Sequence, residues 1–230
     1  MPYFYSSTRK QNLGALALAA MAVAGDALAA ETGLRTSTGL GFTGFSVYTA
    51  TGYQNATINT SNLRAQSIGV PGIDSNLPSQ SDSMDSTFWL VGLDYTHVFA
   101  NQFSLGAQFD YYPKSGQYAL SVSPGYEFND RVLGYVRLGW ANVPTTVNQG
   151  VGQPSYKTWL NAYFVGVGTK VNIYRGIYGY AELRYSTVER LNFTRTENYS
   201  LAPGLTVPVR IEGSADTTAI NAFIGLGYRF

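Results

Sequence analysis

From residue 85 to the end of the chain, apolar side chains recur at every second position, the period of strands that bury or wet one face at a time. In 88–99 one parity reads Trp89, Val91, Leu93, Tyr95, His97, Phe99 and the other Phe88, Leu90, Gly92, Asp94, Thr96, Val98. Segment 103–112 sets Phe103, Leu105, Ala107, Phe109 and Tyr111 against Ser104, Gly106, Gln108, Asp110 and Tyr112. Segment 118–128 sets Tyr118, Leu120, Val122, Tyr126 and Phe128 against Ser121, Ser123, Gly125 and Glu127. The same division runs through 132–140, 159–171, 177–187 and 218–230. An earlier strand over about 40–51, whose inward parity is ambiguous, makes eight.

The links between these segments sort by length. Those at 100–102, 129–131 and 174–176 are tight turns, while 53–84, 113–117, 142–158 and 188–216 are longer. Short and long alternate strictly, as periplasmic turns and extracellular loops do in an antiparallel up-and-down barrel. The pattern predicts an all-β, eight-stranded transmembrane β-barrel with both termini on the periplasmic side, closed so that no edge meets hydrocarbon. Outward aromatics test this layout. Phe99, Phe103, Tyr126, Phe128, Tyr228 and Phe230 sit beside short turns or the C-terminus, and Trp89, Tyr111, Tyr118, Trp140, Trp159 and Tyr185 beside long links. Two interfacial belts are therefore expected.

Composition agrees with a membrane strand protein. Tyr is 18, Phe 12 and Gly 25, yet only 13% of residues are charged. The first residues have a different logic. Arg9 and Lys10 precede the apolar run Leu13 to Ala24, and Ala27-Leu28-Ala29 offers a small-x-small cleavage site. This is a secretory signal peptide over 1–29, cut after Ala29, and its apolar run falls short of the ~20 residues of a spanning helix. The barrel is then expected over 30–230. Without Arg9, Lys10 and Asp26, the 15 cationic and 14 acidic residues become 13 and 13, so the exported chain is formally neutral and has no broad claim on nucleic acid. There are no cysteines, hence no disulfides and no thiolate metal site.

At this point the chain resembles the small eight-stranded outer-membrane proteins: OmpX-like proteins, opacity proteins and the transmembrane domain of OmpA. The most specific residues are the last four, Gly227-Tyr228-Arg229-Phe230, whose terminal Phe resembles the signal read by the barrel assembly machinery. The resemblance implies a monomer in the outer membrane of a Gram-negative cell, surrounded by lipid and lipopolysaccharide.

The inward parity carries four acids, Asp94, Asp110, Glu127 and Glu182, and four bases, Arg137, Lys170, Arg184 and Arg229. Charges away from bulk water must pair to offset their desolvation, so a mid-barrel ion-pair network is expected. A general acid–base pair is the catalytic alternative, disfavoured by the equal number of cations. His97 is the sole histidine, and it falls on the outward parity next to a periplasmic turn, the wrong place to serve as base for a serine at the outer leaflet. Gly39-Leu40-Gly41-Phe42-Thr43-Gly44 spells a dinucleotide fingerprint but opens a strand rather than a helix, so it reads as coincidence. Asn55, Asn59, Asn192 and Asn198 begin N-x-S/T sequons that reflect the Asn/Thr-rich links. The expected protein is a non-enzymatic surface barrel without cofactor or metal. It acts through envelope integrity or through ligands met by loops 53–84 and 188–216, and the alternative is a narrow porin-like channel.

Overall fold

The computed structural model describes residues 41–68, 74–147, 154–202 and 205–230; the expected leader lies outside them. Nine strands appear among these residues: β1 (Gly44–Ser67), β2 (Asp74–Asn76), β3 (Gln80–Val98), β4 (Phe103–Tyr112), β5 (Gln117–Asn129), β6 (Val132–Val147), β7 (Tyr156–Tyr174), β8 (Ile177–Ala202) and β9 (Leu205–Arg229). Eight of them form an antiparallel up-and-down ring, because β1 pairs with β3 on one side and β9 on the other. The ninth, β2, is a three-residue addition to the upper end of β1.

Following paired residues around the ring measures the stagger. The path Ser46, Asp94, Gln108, Ser121, Gly139, Phe164, Ser186, Ala219 returns to β1 at Ala56, ten residues above its start. With ~3.3 Å per residue and ~4.8 Å between strands, eight strands staggered by ten tilt by roughly 40° and enclose a backbone cylinder about 16 Å across. Such an interior has room for side chains and little else.

The first strand's parity is settled by this register. Ser46, Tyr48 and Ala50 are buried inside, and Phe45, Val47, Thr49 and Thr51 face out. On the outer surface Leu93, Leu105, Leu120, Leu138, Val167 and Ile224 are all about half exposed or more. A continuous apolar surface of this kind around every strand suits hydrocarbon, not water. Three of its threonines bond internally: Thr49, Thr51 and Thr169 donate to the carbonyls of Leu90, Phe88 and Leu133 on neighbouring strands. That is the accounting a lipid-facing position demands.

The long links need correction. Segments expected as loops at 53–84, 142–158 and 188–216 are largely strand: β1 and β3 pair up to Thr60↔Gln80, β6 and β7 to Val147↔Tyr156, and β8 and β9 to Ala202↔Leu205. Above the membrane both faces of a strand meet water, so Ser, Thr and Asn replace the apolar residues that mark strands below. The periodic signal fades although the strands continue. By contrast β4 and β5 are joined directly above Tyr112 by a short turn, in which Gly116 N–H donates to Tyr112 O. The barrel therefore rises on one side into a sheet of β3, β1, β9 and β8, which we call the wing. Register shifts between Ser61 and Arg64 on β1 and between Val188 and Leu191 on β8 mark where the wing bends away from the cylinder.

Candidate functional site

The inward side chains of β3 to β8 meet in mid-barrel. Arg137 on β6 reaches Asp110 on β4 at 2.9 Å and Glu182 on β8 at 3.2 Å. Arg184, two residues along β8, reaches the same carboxylates at 3.3 and 2.7 Å. Two guanidiniums thus alternate with two carboxylates, and the side chains of Asp110 and Glu182 have 0% exposure. The remaining lone pairs and donors are engaged as well. The Tyr48 hydroxyl donates to Asp110, the Tyr135 hydroxyl donates to Glu182 at 2.9 Å, Arg137 Nε donates to Ser121 at 2.7 Å and Arg184 Nη1 to the Tyr112 hydroxyl at 3.0 Å. Arg184 is also held between the rings of Phe164 and Phe223, 4.2 and 4.4 Å from their centroids. A planar guanidinium is suited to this double stacking, which a lysine would not reproduce.

A second pair lies nearer the short turns. Lys170 on β7 contacts Asp94 on β3 at 2.7 Å, and Ser46, Thr96 and Gln108 donate to the same carboxylate. Gln108 links the two centres, since its carbonyl accepts from Ser121, which in turn accepts from Arg137. Three cations and three anions are joined in one hydrogen-bonded layer across the barrel. Of the eight residues expected inside, Glu127 and Arg229 belong instead to a lower layer. There Arg229 donates to Asn172 at 3.3 Å and stands 5.4 Å from the Phe42 ring, and Gly41 lies beside the Glu127 carboxylate.

Aromatic rings fill the remaining space, and here the sequence reading was incomplete. The inner parity, expected to hold charges, glycines and hydroxyls, also carries Tyr48, Tyr112, Tyr135, Phe164, Tyr178, Tyr180 and Phe223. Inward glycines on neighbouring strands make room for them: a Cβ on Gly139 would lie 2.2 Å from the Phe164 ring. The legible signal was this pairing of inward glycine with inward ring across adjacent strands. Between Tyr48, Tyr135, Tyr178, Tyr180 and the charged groups a cavity of about 10 Å³ remains, space for one water at most.

The expected belts fall on the outer surface. At the wing end Trp89, Tyr111, Trp159 and Tyr185 are exposed, and the Tyr118 ring meets Trp140 edge to face at 5.8 Å and Trp159 at a tilt at 6.3 Å. The indole of Trp140 donates to Asn161, whose amide donates to Glu189, so the belt has a polar upper rim. At the end with the short turns Phe103, Tyr126 and Phe128 meet edge to face in a row, as do Tyr228 with Phe230 and His97 with Phe99. His97 is exposed on the outer surface. No group of three His, Cys, Asp or Glu that could hold a metal occurs among the described residues.

Outside the membrane, the ion pairs Arg64–Asp74 and Arg190–Asp216 join neighbouring strands of the wing, and Arg195–Glu197 and Arg210–Glu212 lie along single strands. Hydrogen bonds from Arg64 hold the Asp74 carboxyl below its ordinary range. A small apolar cluster of Leu63, Val209 and Ile211, with Ala65 and Phe193 packed on it, gives the wing a core of its own.

No protein-family model matches the chain, and no curated protein sequence matches it. Among solved structures, the attachment invasion locus protein Ail of Yersinia pestis, in complex with the heparin analogue sucrose octasulfate, is similar at 15% identity with a TM-score of 0.43, over 82% of this chain and 99% of that one. The N-terminal β-barrel domain of Pseudomonas aeruginosa OprF is similar at 14% identity and a TM-score of 0.37, over 76% and 97%. The outer-membrane protease OmpT of Escherichia coli is similar at 8% identity and a TM-score of 0.43, over 86% and 99%. These neighbours are outer-membrane barrels, the class that the sequence pattern resembles.

Proposed function

We propose that this chain is an outer-membrane surface protein in which a filled barrel serves as anchor and the wing meets ligands outside the cell. The observation that carries the reading is the contrast between the two halves. In mid-barrel, cations and anions are mutually engaged and rings occupy the rest, leaving no group disposed for acid–base work and no bore for solutes. Above the membrane, long strands hold polar and charged side chains clear of the lipid. In this reading the outer belts rest against lipid and lipopolysaccharide, Tyr228 and Phe230 present the C-terminal strand to the assembly machinery, and the barrel works as a monomer. The same stiff, closed barrel supports the integrity of the envelope.

Two measurements test it. Purified protein in planar bilayers is expected to give no resolved single-channel conductance; stable openings of uniform size would replace the anchor with a narrow channel. In cells, shortening the wing by joining Tyr53 to Thr87 and Val188 to Thr217 through tight turns should leave a heat-modifiable barrel in the outer membrane. Attachment of the cells to proteins or surfaces should be lost with it, and attachment that survives would move the binding function to the barrel.

A further inference from the structure

The chain bends inward before β1 begins. Phe42 lies outside every strand, yet it is buried to 2% exposure. Gly44 makes the bend: its φ is 137°, and a Cβ there would lie 3.1 Å from the Phe230 carbonyl. Phe42 then packs on Leu133 and Tyr135 of β6, with Val98 of β3 against them. In the eight-stranded ring β6 is four strands from β1 in either direction, so the Phe42 side chain reaches the opposite wall. Two further contacts hold it in place. Thr43 Oγ1 accepts from the Val98 N–H at 2.9 Å, and the Arg229 guanidinium at the end of β9 stands 5.4 Å from the Phe42 ring. Gly41 passes the Glu127 carboxylate, where a Cβ would come within 3.4 Å. Two glycines of the stretch that spells a dinucleotide fingerprint thus serve to steer one aromatic ring.

We propose that residues 41–43 form a stopper, which seats Phe42 in the mouth at the short-turn end and closes the lower chamber around Ser104, Glu127 and Arg229 to water from that side. Burial at the strand ends supports this. Ser104 and Leu133 are the second residues of β4 and β6, and Arg229 is the last of β9. In an open cylinder about 16 Å across such positions would be wet. Here they are 4%, 2% and 8% exposed. The wall of the barrel supplies the side chains around the mouth, and Phe42 enters from the chain outside the wall to fill the space between them. The stopper is held by side-chain contacts, whereas each barrel strand is laddered on both sides. It therefore opens at lower cost than the barrel, as a local unit. In the surface reading above this mouth faces the periplasm, so the device separates the buried ion pairs from that compartment.

The chain contains no cysteine, so an introduced one reports alone. Ser104→Cys puts a thiol in the lower chamber, on the rung shared with Val98, in place of a hydroxyl that has no hydrogen-bond partner. Ser115→Cys, in the exposed turn between β4 and β5, is the reference. Full barrels in nanodiscs are treated with a small charged methanethiosulfonate, and the adduct is followed by mass. Ser104→Cys is expected to react about a hundredfold more slowly than Ser115→Cys, and adding Phe42→Ala should speed it by about tenfold or more. An unboiled gel shift identifies the variants that are closed barrels. Should Phe42→Ala not close, Phe42→Val, which leaves part of the apolar contact, makes the same comparison with about a threefold acceleration expected. Equal rates at the two sites with Phe42 in place overturn the proposal. So does protection of Ser104→Cys that the Phe42 substitution leaves unchanged in a closed barrel. The readout asks only whether the mouth is shut, so failure here leaves the surface reading to its own cellular test.

Discussion

Glu182→Ala is expected to lower the unfolding free energy of the barrel by about 3–5 kcal/mol, the range for breaking a buried ion pair from one side. Glu182 accepts from Arg137, Arg184 and Tyr135 at once. Its removal leaves two guanidiniums sharing Asp110 alone and strands a buried phenol. The cost arises less from lost attraction than from cations kept away from water without a partner. Glu182→Gln, which keeps the volume and an acceptor, should cost clearly less. Urea unfolding of the folded barrel in detergent, followed by tryptophan fluorescence, reads the difference. A loss below about 1 kcal/mol for the alanine variant would mean that water reaches the layer and that the interior is not sealed.

Gly225→Ala should damage closure of the ring. Gly225 faces inward on β9, and a Cβ there would lie 2.4 Å from the Thr49 carbonyl, 2.5 Å from the Tyr180 ring and 2.9 Å from Ala50. The first of these is backbone of β1 at the seam joining the first and last ring strands, so the clash cannot be relieved by a rotamer change. Overpacking of this kind costs about 1–3 kcal/mol. Because β1 and β9 are the one ring pairing between strands far apart in the chain, a larger fraction of unclosed, non-heat-shifted protein is expected on unboiled gels. Gly179→Ala is the control, since its Cβ would have no neighbour nearer than 3.5 Å. Equal gel shifts for the two variants would show that the seam tolerates the added methyl.

The sequence was legible where one strand face met lipid and the other the interior. There the alternation of Leu93, Tyr95 with Asp94, Thr96 identified strand, face and membrane together. It became illegible in two places for physical reasons. In the wing both faces are wet or weakly apolar, so the run Asn55 to Thr60 carried no period although it pairs with β3 and β9 throughout. Inside the barrel, alternation names a face without saying what fills it. Tyr180 and Phe223 share the inward parity with Glu182 and Asn221, and only the stagger of ten residues shows which of them share a layer. The stagger also explains the division of the eight expected charges. Counted from the nearest short turn along its own strand, Asp94 lies level with Arg137 and Glu182, but strand tilt brings Asp94 to Lys170 and leaves Glu127 and Arg229 below.

The strands of the wing and of the barrel are the same strands. β1 runs without a break from Gly44 at the periplasmic end to Ser67, and β9 from Leu205 to Arg229. Tension applied at the wing tip therefore travels into the membrane along continuous backbone, through the register shifts at Ser61/Arg64 and Val188/Leu191. It loads the ladders between β8, β9 and β1 along their length, so that many rungs resist together rather than opening one after another. A ligand pulling on this side of the protein would haul on the barrel's closing seam, with the grip of the bilayer on the two aromatic belts as the counterweight.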